Sequence, residues 1–77
     1  MAAVDGHPRI SIDPEIMVGK PCISGTRIPV ELILMHVAAG WTFEVITKEY
    51  DISNEDIRAA VSYAATHLPR PLRDAAE

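Results

Sequence analysis

The sequence predicts a mainly α domain in which a short N-terminal strand and hairpin lead into three helices. Three observations carry this expectation. Residues 19–30 hold two glycines and two prolines among apolar residues, so the chain must turn tightly there and cannot run on as a helix. From Val30 the apolar spacing changes to the three-and-four alternation of a helix. Beyond Gly40, two further helical patterns each begin at a hydroxyl residue, Thr42 and Ser53.

Taken in order, residues 1–8 carry few apolar groups and read as a flexible terminus. Arg9, Ile10, Ser11 and Ile12 alternate polar and apolar, the period of a half-buried strand, and Asp13-Pro14 turns the chain. Residues 15–18 fit either an extended piece or a helical turn. Ser24-Gly25 then stands between the strand-like Cys22-Ile23 and Thr26-Arg27-Ile28, which predicts a tight hairpin with a two-residue turn and positive φ at Gly25. Pro29, with its fixed φ and missing N–H, suits a first helical turn.

In the first helix Val30, Ile33, Leu34, Val37, Ala38 and Trp41 form one apolar face, with a stop near Gly40. Leu32, Met35 and Ala39 form a second stripe, leaving Glu31 and His36 as the polar side chains of the helix. So small a domain has little material to cover both faces, so one is expected to pack on the core and the other on another chain. Thr42 caps a second helix running to residue 50, with Phe43, Ile46 and Tyr50 inward and Glu44, Lys48 and Glu49 outward. Asp51-Ile52 breaks it. Ser53 with Asp56 resembles a capping box opening the third helix. Its expected inner face is Ile57, Val61, Ala64 and Leu68, flanked by Ala60 and Ala65, and Pro69 ends it. Residues 69–77 read as a flexible tail. The domain is thus expected over residues 9–68, and its three helices fit a helix-turn-helix module as well as any other small bundle.

A chain of 77 residues makes one domain at most, and a core of that size supplies only about 3–5 kcal/mol unless something adds to it. Its single cysteine excludes an internal disulfide and any cysteine-rich metal site. No basic leader or membrane-length apolar run is visible, so a soluble cytoplasmic protein is expected, with oligomerisation or a partner as the added source of stability. A net charge of −4 lacks the footprint of a free-standing nucleic-acid binder, although a local patch on a dimer still qualifies. Chemistry has little support. His7, His36 and His67 fall at no metal-ligand spacing, Cys22 has no histidine near it in sequence and reads as a small buried hydrophobe, and no glycine-rich phosphate loop precedes a helix. Neither an enzyme nor a cofactor is expected.

The combination Ile10, Asp13-Pro14, Gly19-Lys20-Pro21, Ile23, Gly25-Thr26-Arg27-Ile28-Pro29-Val30, Gly40 and Ile57 with Ala59-Ala60 resembles family 433 of the domains of unknown function. It departs in having Val18-Gly19 where two glycines are common, Asp51 where proline is common, and Cys22 in place of an aliphatic residue. The resemblance implies a homeodomain-like three-helix fold preceded by β-structure. It also implies an antitoxin role, because many members are encoded beside a nuclease-like protein of PIN-type fold and are described as VapB-like antitoxins. The expected function is therefore neutralisation of a PIN-type ribonuclease toxin, with possible autorepression of the operon. The alternatives are a stand-alone helix-turn-helix regulator and a homo-oligomerisation module that binds no DNA.

Within that reading, DNA contacts would fall to Lys20, Arg27, Lys48 and Arg58, with Arg9 as an N-terminal arm and Asn54 as a reader of adenine. Each has a plainer reading. Arg27 would pair internally with Asp13 or Glu31, Lys20 would simply be solvated, and Glu55 and Asp56 would serve the dipole of the third helix. Leu32, Met35 and Ala39 form either a homodimer seam, the favoured reading, or a toxin groove. In the tail, Leu72 would anchor in a partner nuclease while Arg70 or Arg73 paired with its catalytic acids.

Overall fold

The computed structural model describes residues 2–67. Strands β1 (Ala2–Val4), β2 (His7–Ile12) and β3 (Cys22–Ile23) form an antiparallel sheet in the order β1-β2-β3, and α1 (Val30–Ala38), α2 (Phe43–Tyr50) and α3 (Asn54–Thr66) follow. The fold is therefore a small α+β domain. The expected mainly α class gives way because the chain before Arg9 is part of the sheet. Val4 pairs with His7 across Asp5-Gly6, Gly6 takes a φ of 81°, and a bulge between Ala3 and Val4 absorbs the mismatch in register. A boundary at residue 8 consequently falls inside β2.

Between β2 and β3 the chain makes two turns. The Glu15 N–H donates to Asp13 Oδ1 at 2.9 Å and the Ile16 N–H to the Asp13 carbonyl at 2.9 Å, an Asp-led reversal. Met17, Val18 and Gly19 then take φ of 51°, 57° and 81°, a single turn of left-handed helix closed by Lys20 N–H on the Met17 carbonyl at 3.1 Å. Of the two forms open to residues 15–18 the chain adopts the helical turn, in the opposite hand.

The hairpin at β3 is present with a longer loop than two residues. Ile23 N–H donates to the Ile28 carbonyl at 2.9 Å, Val30 N–H donates to the Pro21 carbonyl at 2.9 Å, and Cys22 lies opposite Pro29. Residues 24–27 thus form the loop, and Thr26 and Arg27 do not join the strand. Thr26 holds the loop shut, its Oγ1 donating to the Ile23 carbonyl at 2.8 Å and accepting the Ile28 N–H at 3.0 Å. Gly25 supplies the positive φ, 80°. Pro29 is the residue just before the first helical one, extended at ψ 147°.

The helix boundaries follow their caps. Gly40 (φ 94°) ends α1 with the Trp41 N–H on the His36 carbonyl at 3.0 Å. Thr42 Oγ1 accepts the Val45 N–H at 3.2 Å, and Asp51 closes α2 in the left-handed conformation. Ser53 and Asp56 form the reciprocal box at 3.1 Å in each direction. Every element from β2 onward sends a side chain into one core of Ile10, Ile23, Val30, Ile33, Ile46, Ile57 and Ala60. The inner face of α3 is turned from the expected one. Val61 is 39% exposed and Ala65 exposed, while Ala60 is fully buried and Tyr63 half-buried beneath the sheet. Tyr63 meets His7 of β2 edge-on, so the side of α3 that carries Tyr63 faces β2. Leu68 and the tail residues Arg70, Leu72 and Arg73 lie outside the described residues.

Candidate functional site

The cations decide whether phosphate has anywhere to bind. Arg9 Nη1 lies 3.0 Å from Asp56 Oδ1, Lys20 Nζ 2.6 Å from Glu31 Oε2, and Lys48 Nζ 3.9 Å from Glu44 Oε2. Arg9 is thus a residue of β2 tied to the first turn of α3, which replaces the expected N-terminal arm. Lys20 is paired where solvation was expected, because the hairpin brings residue 20 against the start of α1. Exposed pairs of this kind stabilise by about 1 kcal/mol or less. Each nevertheless sets a carboxylate where a phosphate would have to sit.

Arg27 is exposed on the hairpin loop, and its side chain makes no ion pair among the described residues. Its expected acid Glu31 is taken by Lys20. Asp13 is held below the usual carboxylate range chiefly by the Glu15 N–H, with the Arg27 charge a minor cause. On α3, Asn54 and Arg58 are exposed one turn apart, and Arg58 has no acidic partner among the described residues. Of the expected DNA contacts, the structure brings Asn54 and Arg58 to one helix face and leaves Lys20, Arg27 and Lys48 on three other segments.

A different surface is built by α1, the turn after it and α2. Met35 is 64%, Trp41 37% and Val45 48% exposed, Ala38 and Ala39 are exposed, and Leu32 is half-buried. Trp41 and Ala38 were expected on the core stripe. The left-handed Gly40 takes Trp41 off the helical track, and its ring stacks on His36 at 3.8 Å between centroids and 20° between planes. His36 Nε2 in turn meets Tyr50 Oη at 2.7 Å. This Trp41–His36–Tyr50 stack fixes the corner between α1 and α2, so its apolar groups stand on a rigid support. In the sequence His36 reads as merely polar. Its place one helical turn before the Gly40 stop, with Trp41 following, was the signal available.

Among the described residues no group of three or more His, Cys, Asp or Glu could hold a metal ion. Cys22 is buried, donates weakly to the Lys20 carbonyl at 3.4 Å, and has its thiol pushed up by burial. No described helix is long and apolar enough to cross a membrane.

Residues 10–64 match the family model described as protein of unknown function (DUF433). The chain belongs to the DUF433 family. A crystal structure of a DUF433 member from Anabaena variabilis ATCC 29413 at 2.00 Å resolution is similar at a TM-score of 0.74 and 27% identity, over 90% of this chain and 69% of that one. No curated protein matches. The DUF433 match runs from β2 into α3 and so takes in every core residue. Its run Gly25-Thr26-Arg27-Ile28-Pro29-Val30 is accounted for by structure at all positions but one. Gly25 turns the chain, Thr26 bonds the loop shut, Ile28 accepts from Ile23, Pro29 closes the hairpin and Val30 is buried. Arg27 alone has no such role.

Proposed function

We propose that this DUF433 protein is the antitoxin of a toxin–antitoxin pair, a non-catalytic cytoplasmic homodimer that binds and blocks a PIN-type ribonuclease. The observation that carries the reading is the apolar corner between α1 and α2, where Met35, Ala38, Ala39, Trp41 and Val45 stand exposed on a folded domain. Apolar groups gathered this way mark a protein-binding surface. Leu32, Met35 and Ala39 then form the seam between two copies across α1, and the nature of the toxin comes from the family resemblance.

DNA binding is the lesser part of the proposal. A homeodomain-like reading makes α3 the helix offered to the major groove, with Asn54 and Arg58 towards bases and backbone. The ion pairs of Arg9, Lys20 and Lys48 weigh against tight binding by one copy. Operator repression therefore falls to the toxin-bound assembly, in which Arg27 and Arg58 of several copies act together.

Co-expression with the PIN-type protein encoded beside this gene is expected to give a co-eluting complex and to relieve growth arrest. Met35→Glu, at a position exposed in the folded monomer, should give a folded monomer by light scattering. A non-toxic neighbour that forms no complex overturns the antitoxin reading. A salt series in a mobility-shift assay tests the DNA part, since phosphate contacts make affinity fall steeply with salt.

A further inference from the structure

His7 and His67 stand far apart in sequence at the two ends of the described chain, yet the fold brings their rings to 6.1 Å between centroids, tilted by 49°. Both lie against Tyr63 of α3, His7 edge-on at 5.4 Å and His67 tilted at 4.2 Å. We propose that His7 and His67 form a two-imidazole site for a late first-row divalent metal ion, which clips the start of β2 to the C-terminal end of α3.

Three features support it. The first is a defined tautomer. His67 Nδ1 lies 2.8 Å from the Tyr63 carbonyl, and a carbonyl only accepts, so Nδ1 carries the hydrogen and the neutral ring keeps its lone pair on Nε2. A ligand histidine held at its other nitrogen by a carbonyl is the usual arrangement around a bound metal. Secondly, the needed nitrogens are available. Neither ring nitrogen of His7, nor Nε2 of His67, makes a hydrogen bond among the described residues. The third feature is the field. His67 is the C-terminal cap of the 13-residue helix α3, the negative end of the helix dipole, which favours a cation, and its last turn holds no basic residue.

The geometry requires a small adjustment. With metal–nitrogen bonds of about 2.0–2.1 Å, two imidazoles on one tetrahedral ion have ring centres roughly 5 Å apart. The closure of about 1 Å falls to His7, whose ring makes no hydrogen bond among the described residues, while His67 keeps its bond to the Tyr63 carbonyl. Imidazole pairs suit nickel, copper and zinc over magnesium or calcium, and water completes the coordination. The effect on the fold follows from topology. Such a clip closes a loop of almost the whole described chain, and cross-links of long loops gain most by restricting the unfolded state.

NiCl2 added to the full-length protein is the test. A rise in Tm of several degrees, reversed by EDTA, is expected, and His7→Gln or His67→Gln should each weaken Ni2+ binding at least about tenfold. Nitrogen-15 spectra of the imidazoles read the site without a substitution. On titration with diamagnetic Zn2+, the His7 and His67 signals should move together while His36, engaged with Tyr50, stays in place. An unchanged Tm, binding that survives both substitutions, or a shift of His36 in place of the other two overturns the site.

Discussion

Val18 shows how much a single residue can hold against its own preference. A β-branched side chain at φ 57° and ψ 36° is strained by about 1–3 kcal/mol, and at 92% exposure it recovers nothing by burial. Gly19 beside it relieves one of three successive left-handed positions, leaving Met17 and Val18 to carry the rest. Val18→Gly is therefore expected to stabilise the fold by about 1 kcal/mol, after the entropy glycine adds to the unfolded chain, as a raised urea midpoint. A lowered midpoint would mean that Val18 makes contacts its exposure denies. Cys22 adds a proton-linked contribution. Burial raises the thiol in the folded state, so ionisation favours the unfolded chain. This contribution is intact below the unfolded thiol range, about 8.5, and is lost as pH rises beyond it. Cys22→Ala should flatten the alkaline limb of the stability profile, and alkylation of native protein near pH 8 should be far slower than in urea. Cys22 is buried as the sequence suggests, whereas the strain at Val18 could not be read in advance. The left-handed turn depends on pairing around it, which no residue within the turn announces.

At the scale of elements, local signals were legible wherever the deciding atoms are a few residues apart. Thr42, Ser53 with Asp56, Gly25 and Gly40 each act within their own turn, and each marks the boundary that the structure has. The Asp5-Gly6 turn was equally local, but the short β1 shows too little alternation to stand out from a loose terminus. What no local signal carries is the second use of a residue. Asp56 accepts the Ser53 N–H on Oδ2 and gives Oδ1 to Arg9, whose place in the sequence is 47 residues away. That one carboxylate caps α3 and ties it to β2 through the Arg9 side chain. Asp56→Ala should therefore cost more than a simple cap, about 1–2 kcal/mol by urea unfolding. Arg9→Ala should cost under about 1 kcal/mol, since it leaves the cap in place. Equal losses for the two would show the ion pair, and not the cap, to be the main function of Asp56.

For the molecule as a whole, the question is what supplements one small core. Among the described residues the core cluster holds seven, five of them isoleucine, drawn from both strands nearest the helices and from all three helices, so the loss of any one is felt throughout. Ile46→Ala alone should cost about 2–5 kcal/mol, comparable with all that a core this small supplies. A domain so poised gains from any association that favours its folded form, and the apolar corner at Met35, Trp41 and Val45 offers the surface. The stability of a dimer joined across α1 depends on mass action. Its Tm should climb as protein concentration is raised a hundredfold, whereas Met35→Glu should melt at one temperature throughout, close to that of dilute wild type. Met35 is mostly exposed in the monomer, so this substitution leaves the core intact and separates association from folding. A wild-type Tm that does not move with concentration would remove the dimer while leaving the corner open to a different protein partner.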